Sequence, residues 1–161
     1  MTIDLRQLID RQAIVDVTLR YGLAVDTNDW ALFESLFADT VEVDVPVQRP
    51  GEYRSFSAHD WAESVRENVA GYQSTHHMIT NHLVTLDGDS ATCRAYLQAR
   101  HYLPNDSGDA FRDIGGWYDW ELARQAEGWK VRRYKLTLAW SAGNAALRDI
   151  ALARLRQQEA G

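Results

Sequence analysis

Apolar residues recur at every second position through most of the chain after Ser74, and this alternation limits the possible folds more than any other feature. Asp87-Gly88 is a strong hairpin signal, and Glu127-Gly128 marks a second turn of the same kind. The alternation and the turns predict four strands, over Thr75–Leu86, Ala91–Leu103, 111–124 and 129–141. Because strands joined by short turns pair antiparallel, this half of the chain is predicted to form a sheet.

The two faces of the second predicted strand differ in composition, which indicates the buried one. One face carries small and apolar residues, namely Ala91, Cys93, Ala95, Leu97, Ala99 and His101. The other carries Thr92, Arg94, Tyr96, Gln98, Arg100 and Tyr102. The small face is predicted to point inward, and small inward residues leave room for a pocket beneath the sheet.

Helical spacing dominates before Ser74 and returns at the end of the chain. The predicted helices are 3–26, Trp30–Phe37, Ala58–Gly71 and Ala145–Gln158, with a strand at Thr40–Val45 and a loop at Gln48–Ser57. In the first helix, the predicted buried face consists of Leu5, Leu8, Ile9, Val15, Leu19, Gly22 and Leu23. Helices followed by a run of strands and a closing helix indicate an α+β fold, a curved antiparallel sheet whose helices enclose a pocket. We expect residues 1–161 to form one domain.

Composition excludes several classes of function. The formal net charge of −6 argues against nucleic acid as a partner, since phosphate binding needs a basic face. The single cysteine, Cys93, excludes an internal disulfide framework and fits a reducing compartment. The charged N-terminus lacks the apolar core of a signal peptide, and no apolar run reaches the roughly 20 residues that span a bilayer. We therefore expect a cytoplasmic protein with no membrane partner.

Asp26 and His77, about fifty positions apart, are the strongest candidates for catalytic residues. Asp26 follows Gly22 by four positions and so is predicted to project from the apolar face of the first helix. His77 lies in a predicted strand, within Ser74-Thr75-His76-His77-Met78-Ile79-Thr80-Asn81. A carboxylate beside a buried imidazole forms a general base without a metal or cofactor, since the carboxylate orients the ring and stabilises its cation. The alternative is a turn aspartate and a core histidine bonded to backbone.

Five further residues are candidates for the site: His101 lies on the predicted inward face of its strand, Asn81 has the parity of His77, and three aromatic residues could line the pocket. His101 is a candidate catalytic residue, able to donate to a substrate oxygen or assist a leaving group, or else to form a hydrogen bond across the sheet. Tyr21, Asn81, Tyr118 and Trp140 are candidate substrate-binding residues, although aromatic residues in such positions usually belong to the core.

The sequence predicts neither a metal nor a cofactor. His76, His77 and His82 match no standard zinc spacing, and adjacent strand residues point to opposite faces. Cys93 is expected to be a packing residue and not a nucleophile, since no basic neighbour is evident.

Several segments together resemble the SnoaL-like branch of the NTF2-like (cystatin-fold cone) superfamily. They are Arg11-Gln12-Ala13-Ile14, Tyr21 to Trp30, His77-Met78-Ile79-Thr80-Asn81-His82, Leu86-Asp87-Gly88-Asp89 and Gly128-Trp129-Lys130-Val131. By motif, the chain is similar to scytalone dehydratase and the hexachlorocyclohexane dehydrochlorinase, which remove a proton with an Asp–His dyad. The resemblance places the aspartate at Asp26, the histidine at His77 and the dehydratase's second pocket histidine at His101.

Other residues of the dehydratase do not carry over. Its two pocket tyrosines fall on Val25 and Val45, and its later serine and asparagine fall approximately on Gly116 and Tyr118. The chain thus resembles the dehydratase in the base and lacks its carbonyl-binding groups, so scytalone is not the expected substrate.

Together these features predict a cofactor-independent lyase that acts on a small, apolar, cyclic or aromatic substrate. An isomerase or polyketide cyclase would use the same base. A noncatalytic subunit, like the β chain of ring-hydroxylating dioxygenases, shares the fold and is the third alternative. The resemblance also implies a homodimer or homotrimer.

Overall fold

The computed structural model describes residues 4–46 and 51–159, which form four helices and six strands. The helices are α1 (Leu5–Thr27), α2 (Trp30–Ser35), α3 (Ala58–Val69) and α4 (Leu147–Glu159). Asp4, Asp29 and Ser57 cap the first three helices, since each side chain accepts a hydrogen bond from a backbone N–H of the first turn. Residue 3, where the first helix was predicted to begin, lies outside the described residues.

The strands form one sheet in the order β2-β1-β6-β5-β4-β3. Their bounds are β1 (Phe37–Asp44), β2 (Arg54–Ser57), β3 (Ser74–Asp87), β4 (Ser90–Tyr102), β5 (Phe111–Gln125) and β6 (Gly128–Gly143). The pairs are antiparallel except that β1 runs parallel to β6. The β3–β4 turn falls at the predicted Asp87-Gly88, where Gly88 has a φ of 59°. The structure therefore confirms the α+β architecture, with N-terminal helices on a curved sheet and a helix at the end.

The main core lies between the helices and the inward face of the sheet. On β4 the inward residues from Ala91 to Ala99 are buried, as the alternation predicts, and their outward neighbours are exposed. Trp120, Tyr134 and Phe33 are the largest fully buried side chains. None of the helices in the described part of the chain is long and apolar enough to cross a membrane.

The predicted buried face of α1 is correct at Gly22 and wrong for its leucines and Ile9. Its leucine stripe is exposed, from 45% at Leu19 to 69% at Leu5, whereas Ile14, Val17 and Tyr21 face the core. The buried side of the helix lies close to the sheet at Gly22. A Cβ on Gly22 would lie 3.2 Å from the Cβ of His77. Helical periodicity identified the helix but not the side that packs.

Two boundaries also differ from the prediction. The predicted loop Gln48–Ser57 contains β2, a short strand that pairs with β1 through Thr40↔Ser57 to Val43↔Arg54. Positions 48–50 of that loop lie outside the described residues. The second helix ends at Ser35 and not at Phe37, because Phe37 already belongs to β1 and is buried there.

Gly71 sets the position of α4. A Cβ there would lie 2.1 Å from the carbonyl oxygen of Ala151, so only glycine allows the two backbones to approach this closely. We expect Gly71→Ala to lower the free energy of unfolding by about 1–3 kcal/mol, because α4 would have to move away from its packing site. Urea denaturation measures the loss. Ala70→Ser, at the exposed neighbouring position, is the control and should change stability by less than about 0.5 kcal/mol.

Candidate active site

Asp26 and His77 meet at the end of α1. The Asp26 Oδ1 lies 2.6 Å from the Nδ1 of His77, and Oδ2 accepts a hydrogen bond from the His77 backbone N–H at 2.7 Å. Thr75 donates its hydroxyl to the same Oδ1 at 2.8 Å. Three donors from one strand therefore fix the carboxylate, and the carboxylate fixes the ring.

The local fold explains why these residues meet. Gly22 lies one helical turn before Asp26, and its lack of a side chain lets the end of α1 rest on β3 beside His77. The helix then stops at Asn28, whose left-handed backbone (φ 56°) turns the chain away. On β3, Thr75 and His77 alternate onto the inward face, opposite His101 and Ala99 of β4. Small Ala99 leaves space beside the imidazole.

The ionisation of Asp26 determines which nitrogen of His77 carries the proton. Burial disfavours the charged carboxylate, but the hydrogen bonds from the His77 ring, the His77 backbone and Thr75 outweigh it and hold the pKa of Asp26 below its usual range. A carboxylate can only accept, so the Nδ1 of His77 carries the hydrogen. The neutral ring then has its lone pair on Nε2, to which no described residue donates a hydrogen bond.

His77 lines a cavity of about 190 Å³, while Asp26 lies behind it. The lining is largely apolar or aromatic and includes Val25, Val45, Trp61, Val65, Val69, Ile114, Leu136 and Leu138. The side chain of His77 is 8% exposed and that of Asp26 is 20% exposed. The arrangement thus presents an imidazole, backed by a carboxylate, to a largely apolar cavity, as proton abstraction requires.

His101 lines the same cavity, and its ring centroid lies 6.1 Å from that of His77. Burial, together with the nearby His77 ring, lowers the pKa of His101 from 6.5 to about 4. The Arg112 backbone opposes that shift, yet no hydrogen bond of acceptable geometry joins the buried Nδ1 of His101 to any described residue. His101 is therefore neutral at pH 7, so it is available to form hydrogen bonds in the cavity and is not a cationic acid.

The lowered pKa of His101 makes stability fall in acid. The unfolded chain binds a proton at this residue below pH 6.5 and the folded chain only below about 4, so unfolding takes up a proton between these values. We expect His101 to account for about 2 kcal/mol of the stability lost between pH 7 and pH 5. His101→Phe should remove that part of the slope in urea titrations, while exposed His76→Gln should not. Equal slopes in His101→Phe and the original chain would contradict this origin.

Tyr21 and Tyr118 also line the cavity, together with Tyr134, which the sequence did not single out. Burial raises the pKa of all three hydroxyls, well above the ordinary value at Tyr118 and Tyr134, so they remain protonated. The ring centroids lie between 5.5 and 6.0 Å apart. The three tyrosines thus border the same cavity as His77, and their hydroxyls are neutral.

The structure does not bring Asn81 and Trp140 to the cavity. Asn81 is exposed and has a φ of 56°, in a bulge of β3 between Thr80 and Leu83. Trp140 is 47% exposed, and its indole covers Gly115, where a Cβ would lie 2.1 Å from the ring. A bulge between Gly115 and Gly116 shifts the register, which moves Trp140 to the outward face. We leave both residues out of the site proposed below.

The other histidines and the cysteine have separate surroundings. His76 points to the exposed face of β3, and the Nε2 of His82 lies 2.7 Å from the hydroxyl of Thr18, which itself donates to the Val15 carbonyl. Cys93 is buried, and burial raises the pKa of its thiol to about 11. A thiol with that pKa is protonated at neutral pH and a poor nucleophile.

Arg112, Arg148, Asn68 and Tyr72 complete the polar part of the lining, and sequence reasoning missed all four. The alternation on β5 could have found Arg112, which has the same parity as Ile114 and Tyr118. No local signal identifies Arg148, because its place depends on how α4 packs against Gly71.

Comparisons with known proteins agree with this architecture. Residues 6–135 match the family model for the SnoaL-like domain. The terrestric acid biosynthesis cluster protein E of Penicillium crustosum is 32% identical over 149 residues, which cover 87% of this chain and 90% of that protein.

Two solved structures show the likeness in three dimensions. The Kfla4162 protein of Kribbella flavida is 30% identical with a TM-score of 0.83, covering 89% of this chain and 99% of that one. A hexachlorocyclohexane dehydrochlorinase from Novosphingobium barchaimii is 20% identical with a TM-score of 0.73, covering 89% of this chain and 95% of its own, and shows the fold alone. With most of its length matched by the family model, the chain belongs to the family of SnoaL-like domains.

Proposed function

We propose that this protein is a cofactor-independent lyase in which His77, held by Asp26, removes a proton from a small, largely apolar, cyclic or aromatic substrate. The observation that carries the proposal is the 2.6 Å contact between the Asp26 Oδ1 and the Nδ1 of His77, on a ring that borders the cavity. A base held in this way typically contributes about 10²–10⁴-fold to the rate.

The reaction begins when the Nε2 of His77 takes a proton from a carbon next to an activating group, such as a carbonyl. Asp26 stabilises the imidazolium that forms. The electron pair of the broken C–H bond then forms a double bond as hydroxide or another leaving group departs. A hydroxide leaves as water once the imidazolium returns the proton to it, which restores neutral His77. A hydrogen bond from neutral His101 or from a cavity tyrosine assists the departure.

The cavity limits the size of the substrate. An apolar cavity of about 150 Å³ holds benzene, so one of about 190 Å³ suits a single ring with short substituents. One relative belongs by name to a biosynthesis cluster. A protein of the same fold is named a hexachlorocyclohexane dehydrochlorinase, so this fold accommodates elimination from a ring.

An isomerase or polyketide cyclase is the second candidate, and the same observation favours it. Both reactions start with proton removal by such a base. They differ from the lyase reaction in that no group leaves the substrate. The third alternative, a noncatalytic subunit, gives no reason for an imidazole held by a carboxylate to border a cavity. Homo-oligomerisation and a cytoplasmic location stay predictions from the sequence.

The test follows one-ring ketones in D₂O by NMR. 3-Hydroxycyclohexanone reports elimination through formation of cyclohexenone, and 3-cyclohexenone reports isomerisation without a leaving group. We expect elimination and deuterium uptake next to the carbonyl with the original chain, and neither above background with His77→Gln. Isomerisation without elimination would instead support the second candidate function, an isomerase or polyketide cyclase. Deuterium uptake at the same rate in both proteins would exclude His77 as the base.

A further inference from the structure

We propose that the substrate carries a carboxylate, which Arg112 and Arg148 bind at the rim of the cavity. This inference rests on the proposed function, because it names the substrate class of the same site. The substrate is then an apolar acid whose ring fills the cavity and whose charged group lies beside His101.

Arg112 faces the cavity without an acidic partner. It pairs across the strands with His101, so the two side chains share the inward face of the sheet. The other five arginines of β4, β5 and β6 each form an ion pair with a carboxylate: Arg94, Arg100, Arg124, Arg132 and Arg133. No described carboxylate lies within 4.0 Å of the Arg112 guanidinium, which sets it apart from the rest of the sheet.

Arg148 is held in place by a neutral group. Its Nη2 donates to the Oδ1 of Asn68 at 2.8 Å, and the Nδ2 of Asn68 donates to the Ser64 carbonyl at 2.7 Å. The second bond fixes which side of the Asn68 amide faces the arginine. Gly71 allows α4 to approach closely enough for this contact. The guanidinium is thus held beside the cavity, and no carboxylate of the described residues lies within 4.0 Å of it.

The remaining lining offers no counter-charge. Of the described residues that line the cavity, none is an aspartate or glutamate, and Asp26 lies behind His77 and is already bound by three donors. Two half-buried guanidinium groups beside an apolar space favour an anion there. A carboxylate suits them because its two oxygens match the paired N–H groups of arginine.

The position of the arginines also restricts where the proton is taken. Arg112 neighbours His101, whose ring centroid is 6.1 Å from that of His77. Because all three residues line the same cavity, a substrate bound through its carboxylate at Arg112 is held with its remaining carbons in the space that His77 borders.

Binding of matched probes tests this proposal without turnover. The probes are 3-phenylpropionate, its neutral amide 3-phenylpropionamide, and inorganic phosphate, titrated by NMR at low ionic strength. We expect the carboxylate to bind at least tenfold more tightly than the amide. Arg112→Met and Arg148→Met should each reduce carboxylate affinity about tenfold or more and leave amide affinity unchanged.

Arg154→Met is the matched control, since Arg154 is exposed on the same helix as Arg148. It should not change either affinity. Arg112→Lys and Arg148→Lys keep the positive charge but lose the paired N–H groups, so each should lose part of the carboxylate affinity. They replace the Met variants if those fail to fold.

Equal affinity for the acid and the amide would overturn the proposal, and so would an equal loss in Arg154→Met. Phosphate that binds as tightly as the carboxylate would show a general anion site and would also overturn it. His76→Gln, on the exposed face of β3, should bind 3-phenylpropionate normally. Arginine-dependent binding of the acid with no His77-dependent deuterium uptake into a one-ring keto acid would reject the proposed function alone. His77-dependent uptake with equal affinity for the acid and the amide would reject only the carboxylate.

Discussion

His77→Gln is expected to lower the rate of proton removal by about 10²–10⁴-fold while leaving the fold intact. Glutamine fills a similar volume and its amide can still donate to Asp26, but it has no basic nitrogen at the cavity. The contact that orients the side chain is therefore kept and only the base is lost. The measurement is the initial rate of deuterium uptake or elimination with whichever one-ring ketone the original chain turns over.

His76→Gln is the matched control, because His76 is the adjacent residue and points to the exposed face of β3. It should retain the original rate. If His77→Gln is folded by circular dichroism and reacts as fast as His76→Gln, the dyad mechanism is wrong.

Asp26→Asn is expected to lower the rate of proton removal by a similar factor, about 10²–10⁴-fold, for a different reason. The amide cannot stabilise the imidazolium by charge. Its NH₂ group can also face the Nδ1 of His77, which favours the ring tautomer with hydrogen on Nε2 and turns the cavity-facing nitrogen into a donor. The rate of deuterium uptake measures the loss, and Asp16→Asn, on the same helix, is the control.

The effects of His77→Gln and Asp26→Asn on the rate should not be independent. Since Asp26 acts through His77, the double variant is expected to be no slower than His77→Gln by more than about threefold. Multiplication of the two single losses would show that Asp26 and His77 act independently, which contradicts a dyad.

The four strands of the second half could be predicted from the sequence because alternation and turn residues are local properties. Each lies within two positions of its predicted bounds, and the hairpin at Asp87-Gly88 was correctly placed. The packing face of α1 could not be predicted in this way. Both sides of that helix carry apolar residues, and which one is buried depends on the close approach at Gly22 to a strand that follows about fifty residues later.

In the site, too, local alternation places some residues correctly, whereas others depend on irregularities that it does not reveal. The predicted inward parity of His77, His101 and Tyr118 matches the register of their strands. Asn81 departs from this parity because it lies within a bulge of β3, and Trp140 departs from it because it follows a bulge of β6. One extra residue exchanges the two faces of a strand. Neither bulge has a signal in the alternation itself. Arg112 follows the alternation of β5 and was available to sequence reasoning. Tyr134 was not, because a further bulge of β6, between Val131 and Arg133, reverses the parity set by Trp129 and Val131.

The tautomer of His77 in the unliganded protein tests the central claim most directly. Long-range ¹H–¹⁵N correlation spectra of the imidazole rings distinguish a protonated nitrogen from one with a lone pair. We predict hydrogen on Nδ1, bonded to Asp26, and a lone pair on the Nε2 that faces the cavity, with both changed in Asp26→Asn. Hydrogen on Nε2 in the original chain would leave the cavity without a base and would contradict the account.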